Sequence, residues 1–306
     1  MNLRFVEAFY WVASLKSVTR AAEKLFLTQS AMSSRISSLE DELGVLLLDR
    51  TDKQFRLTAS GVRFLVFAEK LLTLQREAKS EMGAGTTMTV AMRIGAIESV
   101  LHSWLIPWLE KLRADHPGLE LELTVETSPI LTDQAQRGTL DLVFAAFPAT
   151  GDRLRNHAMP SMEMVFVGHP ALHKKRNYRL DELAEMELLT FQRGSQPHVT
   201  LLDLFRQRGL EPKKVHAISS ISAMVQLVQG GFGVALLPRI AAQRLTGFAQ
   251  LKVLACDTPL KALPIYASYR SDPTSSTVDT LLKSAVEFAG SAMPPKRRTK
   301  KGATKP

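Results

Sequence analysis

The chain has 306 residues, 45% of them hydrophobic and 23% charged, with a single cysteine, Cys256. That length holds roughly two domains with separate cores, and a lone cysteine excludes both an internal disulfide framework and a thiolate zinc cluster. The formal net charge is +9, yet six of the bases crowd into the last sixteen residues, SAMPPKRRTKKGATKP, which hold no acid. Residues 1–88 carry 12 Lys/Arg against 10 Asp/Glu, and residues 89–290 carry 21 against 20. The basic character therefore belongs mostly to a Pro-, Gly- and Lys-rich tail, residues 291–306, whose composition predicts disorder.

The opening stretch MNLRFVEAFYWVASLKS has an acidic residue, no long apolar run and no small-residue cleavage site. It predicts neither a signal peptide nor a membrane anchor, which with the lone cysteine places the chain in a reducing cytoplasm. Ser17 then caps a short helix, VTRAAEKL, in which Ala21 and Ala22 allow a close helix crossing. After the connector FLT comes TQSAMSSRISSLEDELG, residues 28–44. Met32, Ile36, Leu39 and Leu43 recur at steps of four, three and four, one stripe of an α-helix that Thr28 can start and Gly44 can stop. Ser30, Ser33, Ser34 and Ser37 lie on the other side, with Gln29 at its edge.

Serine is an indifferent helix former, so a serine face needs a reason. A small, hydroxyl-rich surface without acids can press close to an anion. Two short helices joined by a tight connector form a helix-turn-helix whose second helix can enter a DNA major groove. VLLLDR, TDKQ and FRLT follow as two extended pieces around a polar turn. This is a β-wing carrying Arg50, Lys53 and Arg56, suited to phosphate or minor-groove contact.

The stretch SVTRAAEKLFLTQSAMSSRISSLEDELGVLLLDRTDKQFRLTASG resembles the winged helix-turn-helix of LysR-type transcriptional regulators. AAEKL, the serine helix and a wing ending in RLTASG match in order and spacing. Two positions depart from the family: Ser30 stands where Pro is usual, and Ser34 where Arg or Gln is common. The resemblance implies a DNA-binding set of Thr28, Gln29, Ser30, Ser33, Ser34, Arg35, Arg50, Lys53 and Arg56, with Gln29 and Ser33 nearest the base edges. Arg35 lies beyond the apolar stripe and suits a phosphate contact or an internal ion pair. The winged helix-turn-helix, an all-α-type unit, spans residues 1–58.

Residues 59–88 form a linker helix and hinge. Phe64, Phe67, Leu71, Leu74 and Ala78 follow a three-four-three-four seam of about two heptads. Leu65, Ala68 and Leu72 add a second apolar flank, so the helix is covered on more than one side. In the family this helix pairs two DNA-binding modules; a helix folded onto its own domain is the alternative.

Beyond MGAGTT, extended runs alternate with helical ones. MTVAMRIGAI, LELELTVE, LDLVFAAF, MVFVGHP, ELLTFQ, GVALLP and LPIYASY read as strands. SWLIPWLEKLRADHP, SPILTDQAQRG, TLLDLFRQRG and SAMVQLVQGG read as helices. The alternation predicts an α/β fold with largely parallel sheets over residues 89–290. Its order resembles the family's effector domain, which is similar to two-lobed periplasmic solute-binding proteins.

In open α/β sheets a ligand sits beyond the carboxyl ends of the strands. Four such turns bring Ile97 and Ser99, Ser128, Arg193 and Ser195, and Ser222 toward one cleft, with Phe147 and Pro148 as an apolar wall. Each serine alone is most simply an N-cap. In relatives, the positions matching Ser99 and Ser128 hold an inducer. Helix starts, serines and Arg193 together predict a small organic carboxylate, with Glu98 turned away from the cleft. GGFG at 230–233 follows a helix, the wrong order for a phosphate loop, and His169 and His173 are separated by Pro170 with no ligand partners. No catalytic residue, metal ligand or cofactor is expected.

The expected function is sequence-specific transcriptional regulation in response to a small molecule. Double-stranded DNA, the effector and, by family resemblance, RNA polymerase are the partners of a homodimer or homotetramer that does not engage a membrane. The rivals are an architectural DNA binder without an effector and an enzyme on the solute-binding fold.

Overall fold

The computed structural model describes residues 1–49, 55–82, 91–246 and 250–292. Helix α1 (Leu3–Leu15) starts at Asn2, whose side chain accepts from the Arg4 amide. Helices α2 (Val18–Lys24) and α3 (Gln29–Leu43) form the helix-turn-helix, and strands β1 (Leu48–Asp49) and β2 (Arg56–Leu57) pair antiparallel as the base of the wing. Met32, Ile36 and Leu39 of α3 are buried against Val6, Phe9, Tyr10 and Val12 of α1. Each such side chain contributes on the order of 1.5–3 kcal/mol by leaving water, so the predicted stripe is what fixes α3 on α1.

Helix α4 (Ala59–Glu81) divides its two apolar flanks between two uses. Ala68 and Leu72 are buried in the N-terminal core with Phe64 and Leu65, and the Phe64 ring lies 5.4 Å from that of Phe9. Phe64 therefore belongs to the intradomain face and not to the seam expected from its spacing. Phe67 and Leu74 remain 59% and 63% exposed, and Val62 and Val66 are exposed beside them.

The C-terminal module is two lobes. The first contains β3 (Ala91–Ala96), α5 (Glu98–Val100), a π-helical segment (Leu101–Leu105), α6 (Ile106–Asp115), β4 (Glu120–Val125), α7 (Ser128–Arg137), β5 (Leu142–Ala145) and β6 (Leu154–Met162). The chain then crosses to the second lobe: β7 (Met164–Gly168), α8 (Leu180–Ala184), β8 (Glu187–Thr190), α9 (Gln196–Gln207), β9 (Lys214–Ala217), α10 (Ile221–Gln229), β10 (Val234–Pro238), α11 (Arg239–Thr246) and β11 (Lys252–Leu254). It returns through β12 (Leu263–Arg270) and α12 (Thr277–Ala292) to complete the first lobe.

The sheet orders are β4-β3-β5-β12-β6 and β11-β7-β10-β8-β9. Strands β3, β4 and β5 run parallel, as do β8, β9 and β10, but β12 is antiparallel to β5 and β6, and β7 to β10 and β11. The sheets are mixed, which corrects the expectation of largely parallel ones. The antiparallel strands are the ones by which the chain crosses between lobes. An edge-on cluster of Trp104, Trp108 and Phe144 fills the first lobe, with Trp104 and Phe144 centroids 5.0 Å apart. No described helix is long and apolar enough to cross a membrane.

The winged module docks on the first lobe through named contacts. Lys24 Nζ lies 2.7 Å from Asp141 Oδ1, Arg153 Nη1 lies 3.0 Å from Glu69 Oε2, and the Tyr10 hydroxyl donates to the Ser271 carbonyl at 2.9 Å. Gly138, in the left-handed region at φ +76°, leaves room for Leu15, whose Cδ2 would lie 2.6 Å from a Cβ there.

Candidate DNA-reading face and effector cleft

The serine face survives into three dimensions. The Ala31 amide donates to Thr28 Oγ1 at 3.2 Å, and the Thr28 and Ser30 hydroxyls are 3.0 Å apart, so Thr28 and Ser30 tie the start of α3 together. Gln29, Ser30, Ser33 and Ser34 are exposed; Ser30 and Ser34 lie opposite Met32 and Ile36, Ser33 on the flank, and Gln29 at the edge of the apolar stripe in the first turn. Arg35 is half-buried and close enough to Glu7 to work against the rise that burial imposes on that carboxyl's pKa. No ion pair joins the two among the described residues, so a phosphate contact and an internal pairing both stay open to Arg35. Arg56 is exposed on β2, whereas Arg50 and Lys53 lie outside the described residues.

The wing is anchored by a residue that composition disguises. Glu40, on the acidic half of α3, is only 4% exposed, and its Oε1 accepts from the Leu47 amide at 2.7 Å and the Leu48 amide at 3.0 Å. A carboxylate holding two backbone amides is a charge-assisted cap on the turn into β1.

A cavity of 490 Å³ lies between the two lobes. Ile97, Ser99, Ser128, Phe147, Arg193 and Ser195 line it, as predicted. Ser128 begins α7, and its Oγ accepts from the Ala146 amide at 3.0 Å, which ties α7 to the end of β5 and leaves the hydroxyl proton for a ligand. Ser195 Oγ accepts from the His198 amide at 3.4 Å and is the N-cap of α9. Burial, with the Arg193 charge, lowers the pKa of His198, which keeps this helix start from adding a second cation.

Two expected residues fall elsewhere. Pro148 is exposed and does not line the cavity, because β5 ends at Ala145 and only Phe147 of the pair reaches it. Ser222 is exposed within α10; the N-cap is Ser220, which accepts from the Ala223 amide, and Ser219 is the residue at the cavity wall. Glu98 also departs from expectation. It lines the cavity, and its Oε2 accepts from the Ile221 amide across the cleft. Glu126 is a second acid at the wall. Sequence alone could not put either carboxylate at the wall: Glu98 meets its partner 123 residues away, and Glu126 simply follows β4.

With this geometry in place, comparison with known proteins is direct. Residues 3–62 match the model described as "Bacterial regulatory helix-turn-helix protein, lysR family", and residues 91–289 match the "LysR substrate binding domain". The chain belongs to the LysR family. It is a LysR-type transcriptional regulator: a DNA-binding helix-turn-helix joined to an effector-binding domain.

Among similar LysR-type proteins, the HTH-type transcriptional regulator BenM of Acinetobacter baylyi is 26% identical over 304 residues, 96% of this chain and 99% of BenM. The HTH-type transcriptional regulator HdfR of Yersinia pestis is 29% identical over 299 residues, covering 94% and 98%. The crystal structure of full-length BenM matches with a TM-score of 0.56 at 25% identity, covering 96% of this chain and all of that one. Both LysR-type modules of this chain are thus covered by single relatives in the same order.

Proposed function

We propose that this LysR-type regulator reads its DNA site with Gln29 and Ser33 of α3 and answers to a small organic carboxylate held between its lobes. The observation that carries the effector reading is the start of α7. There, the positive helix end, which no side chain caps, the donor side of the Ser128 hydroxyl and the nearly buried Ser99 share one cavity wall with Arg193 opposite. Glu98 adds negative charge, but that charge is spent on the start of α10. Phe147 supplies an apolar face against a ligand's carbon skeleton.

On the DNA side, Thr28, Ser30 and Ser34 position the helix, while Arg56, Lys53 and Arg50 of the wing engage phosphates. Arg35 braces α3 against α1 in this reading. The exposed Phe67 and Leu74 of α4 support pairing of two chains, and hence two DNA half-sites. RNA polymerase is the downstream partner by kinship with the family, and the cytoplasm is where such a regulator meets chromosomal DNA.

The test is a calorimetric screen of small carboxylates, amines and neutral sugars against the full chain. A carboxylate is the expected strongest ligand, weakened at least tenfold by both Ser99→Ala and Arg193→Ala. A cationic best ligand, or normal binding by both variants, would overturn the reading.

A further inference from the structure

A second cavity, of 420 Å³, lies away from the lobe cleft, where the α1–α2 corner of the winged module meets the first lobe. Its charged wall comprises Lys16 and Arg20 from the winged module, Asp133 and Arg137 from α7, Asp152 from the β5–β6 connection, and Arg270 at the end of β12. The two acids are already engaged: Asp152 Oδ2 lies 2.7 Å from Lys16 Nζ, and Asp133 Oδ2 lies 2.8 Å from Arg137 Nε. Neither Arg20 nor Arg270 forms an ion pair among the described residues.

Arg270 is the more telling of the two. It is only 8% exposed, and its guanidinium donates solely to backbone carbonyls: Nη1 to Ser14 at 3.0 Å and Asp152 at 3.3 Å, and Nη2 to Gln136 at 2.7 Å. Its Nε is buried and has no partner among the described residues, as is the Ser14 hydroxyl oxygen at the same wall. Burial, reinforced by the charges of Arg153 and Arg20, pulls its pKa below the usual arginine range, with Tyr10 and Asp152 opposing. Ser14 and Gln136 sit at the C-terminal ends of α1 and α7, whose partial negative charges soften the burial of Arg270. They do nothing for Arg20. A desolvated guanidinium beside a second unpaired one is the arrangement that a multi-oxygen anion relieves, through forked charge-assisted hydrogen bonds.

We propose that this cavity is a second ligand site, distinct from the lobe cleft, which binds a small phosphate monoester bridged between Arg20 of the helix-turn-helix and Arg137 and Arg270 of the effector domain. Its volume lies in the range of small-molecule sites. Duplex DNA is the poorer occupant, because Arg270 is deeply buried behind the walls of both modules. A ligand here clamps α1 and α2 to the C-terminal end of α7, whose other end, at Ser128, lines the lobe cleft.

The experiment titrates the full chain with inorganic phosphate and with glycerol 3-phosphate by calorimetry and thermal shift, at ionic strength matched with chloride. Saturable binding is expected, tighter for the monoester. Arg20→Gln and Arg137→Gln should each weaken it at least tenfold, whereas Arg206→Gln on the exposed side of α9 should not change it. These variants avoid Arg270, whose replacement risks the fold. No saturable binding, or equal binding by the Arg20 and Arg137 variants, would overturn the proposal. So would a tenfold loss caused instead by Arg193→Ala, which would put the anion in the lobe cleft, or phosphate binding that occurs only with duplex DNA present.

Discussion

Lys24 of the helix-turn-helix meets Asp141 Oδ1 of the effector domain at 2.7 Å, and Arg93 grips both oxygens of the same carboxylate, Nη2 to Oδ1 at 2.9 Å and Nε to Oδ2 at 3.1 Å. Asp141 stands at the head of β5, whose far end, at Ala146, forms part of the effector cavity. One short strand thus connects the DNA-binding module to the proposed effector cavity, over a distance of roughly 3.3 Å per residue.

This carboxylate sets an acid limit on the fold. Burial favours its protonated form, but the Arg93 hydrogen bonds and the Lys24 charge outweigh burial and hold its pKa below the ordinary aspartate value. A depressed folded-state pKa gives stability that is present above the unfolded value, about 3.9, and is lost as pH falls through the folded one. Asp141→Asn should cost about 3–5 kcal/mol at neutral pH, since it strands Arg93. It should also flatten the loss of stability below about pH 4. Lys24→Met, which leaves the Arg93 pair intact, should cost only about 1 kcal/mol. Chemical denaturation of both variants across pH reads this directly, and equal costs would mean that Lys24 and Arg93 share the charge evenly.

The two faces of α4 predict opposite outcomes for the same substitution. Leu74→Lys places a charge on a side chain that is exposed in the single chain, so thermal stability of the monomer should hardly change. If Leu74 lies in the pairing seam, sedimentation will show weakened dimers, because the charge is then buried without a partner. Leu72→Lys should instead unfold the N-terminal module. Intact dimers of Leu74→Lys would move the interface off this face.

In the proposed effector cleft, Glu98 caps α10 and its charge would oppose a carboxylate ligand. Glu98→Gln keeps an oxygen for the Ile221 amide but removes the negative charge, so carboxylate affinity should rise, by about tenfold if the change is near 1.4 kcal/mol. Isothermal calorimetry with the screen's best carboxylate measures it. A loss of affinity would mean that the Glu98 charge contacts a donor on the ligand.

The six bases among residues 291–306 should add affinity that is independent of DNA sequence. Each phosphate they neutralise releases counterions and steepens the dependence on salt by close to one unit in log–log slope. Deleting residues 295–306 should flatten that slope and leave the footprint in place. A shifted footprint would assign the tail a specific role.

What could be read from the sequence was what repeats locally. The Met32, Ile36 and Leu39 stripe, the caps at Ser17 and Thr28, and the strand-helix alternation are local patterns, and they located α2, α3 and most of the sheet strands. Cleft residues that follow directly from a strand end, such as Ile97 and Ser99, were legible for the same reason. The start of α10 was misplaced by one turn edge because Ser219, Ser220 and Ser222 are chemically equivalent in sequence, and only the backbone shows which one caps. Strands β6, β9 and β11 escaped notice because LRNHAMPSM, KVHA and KVL are either very short or carry no regular apolar alternation. Glu40 and Arg270 gave no signal at all, and Glu98, legible as an acid beside the cleft, gave no sign that it reaches the Ile221 amide. Their roles depend on partners brought near by tertiary folding, and a charged residue reads as surface until its partner is placed.

In the proposed function, the serine face of α3 reads DNA sequence. The most direct measurement is selection of bound duplexes from a random library by the full chain, repeated with Gln29→Ala. The wild type should enrich a two-half-site sequence. Gln29→Ala should lose information at one position in each half-site, at a cost of about 1–3 kcal/mol there, with little change in binding to random DNA. No enrichment by the wild type, or the same motif at the same strength from Gln29→Ala, would contradict this reading.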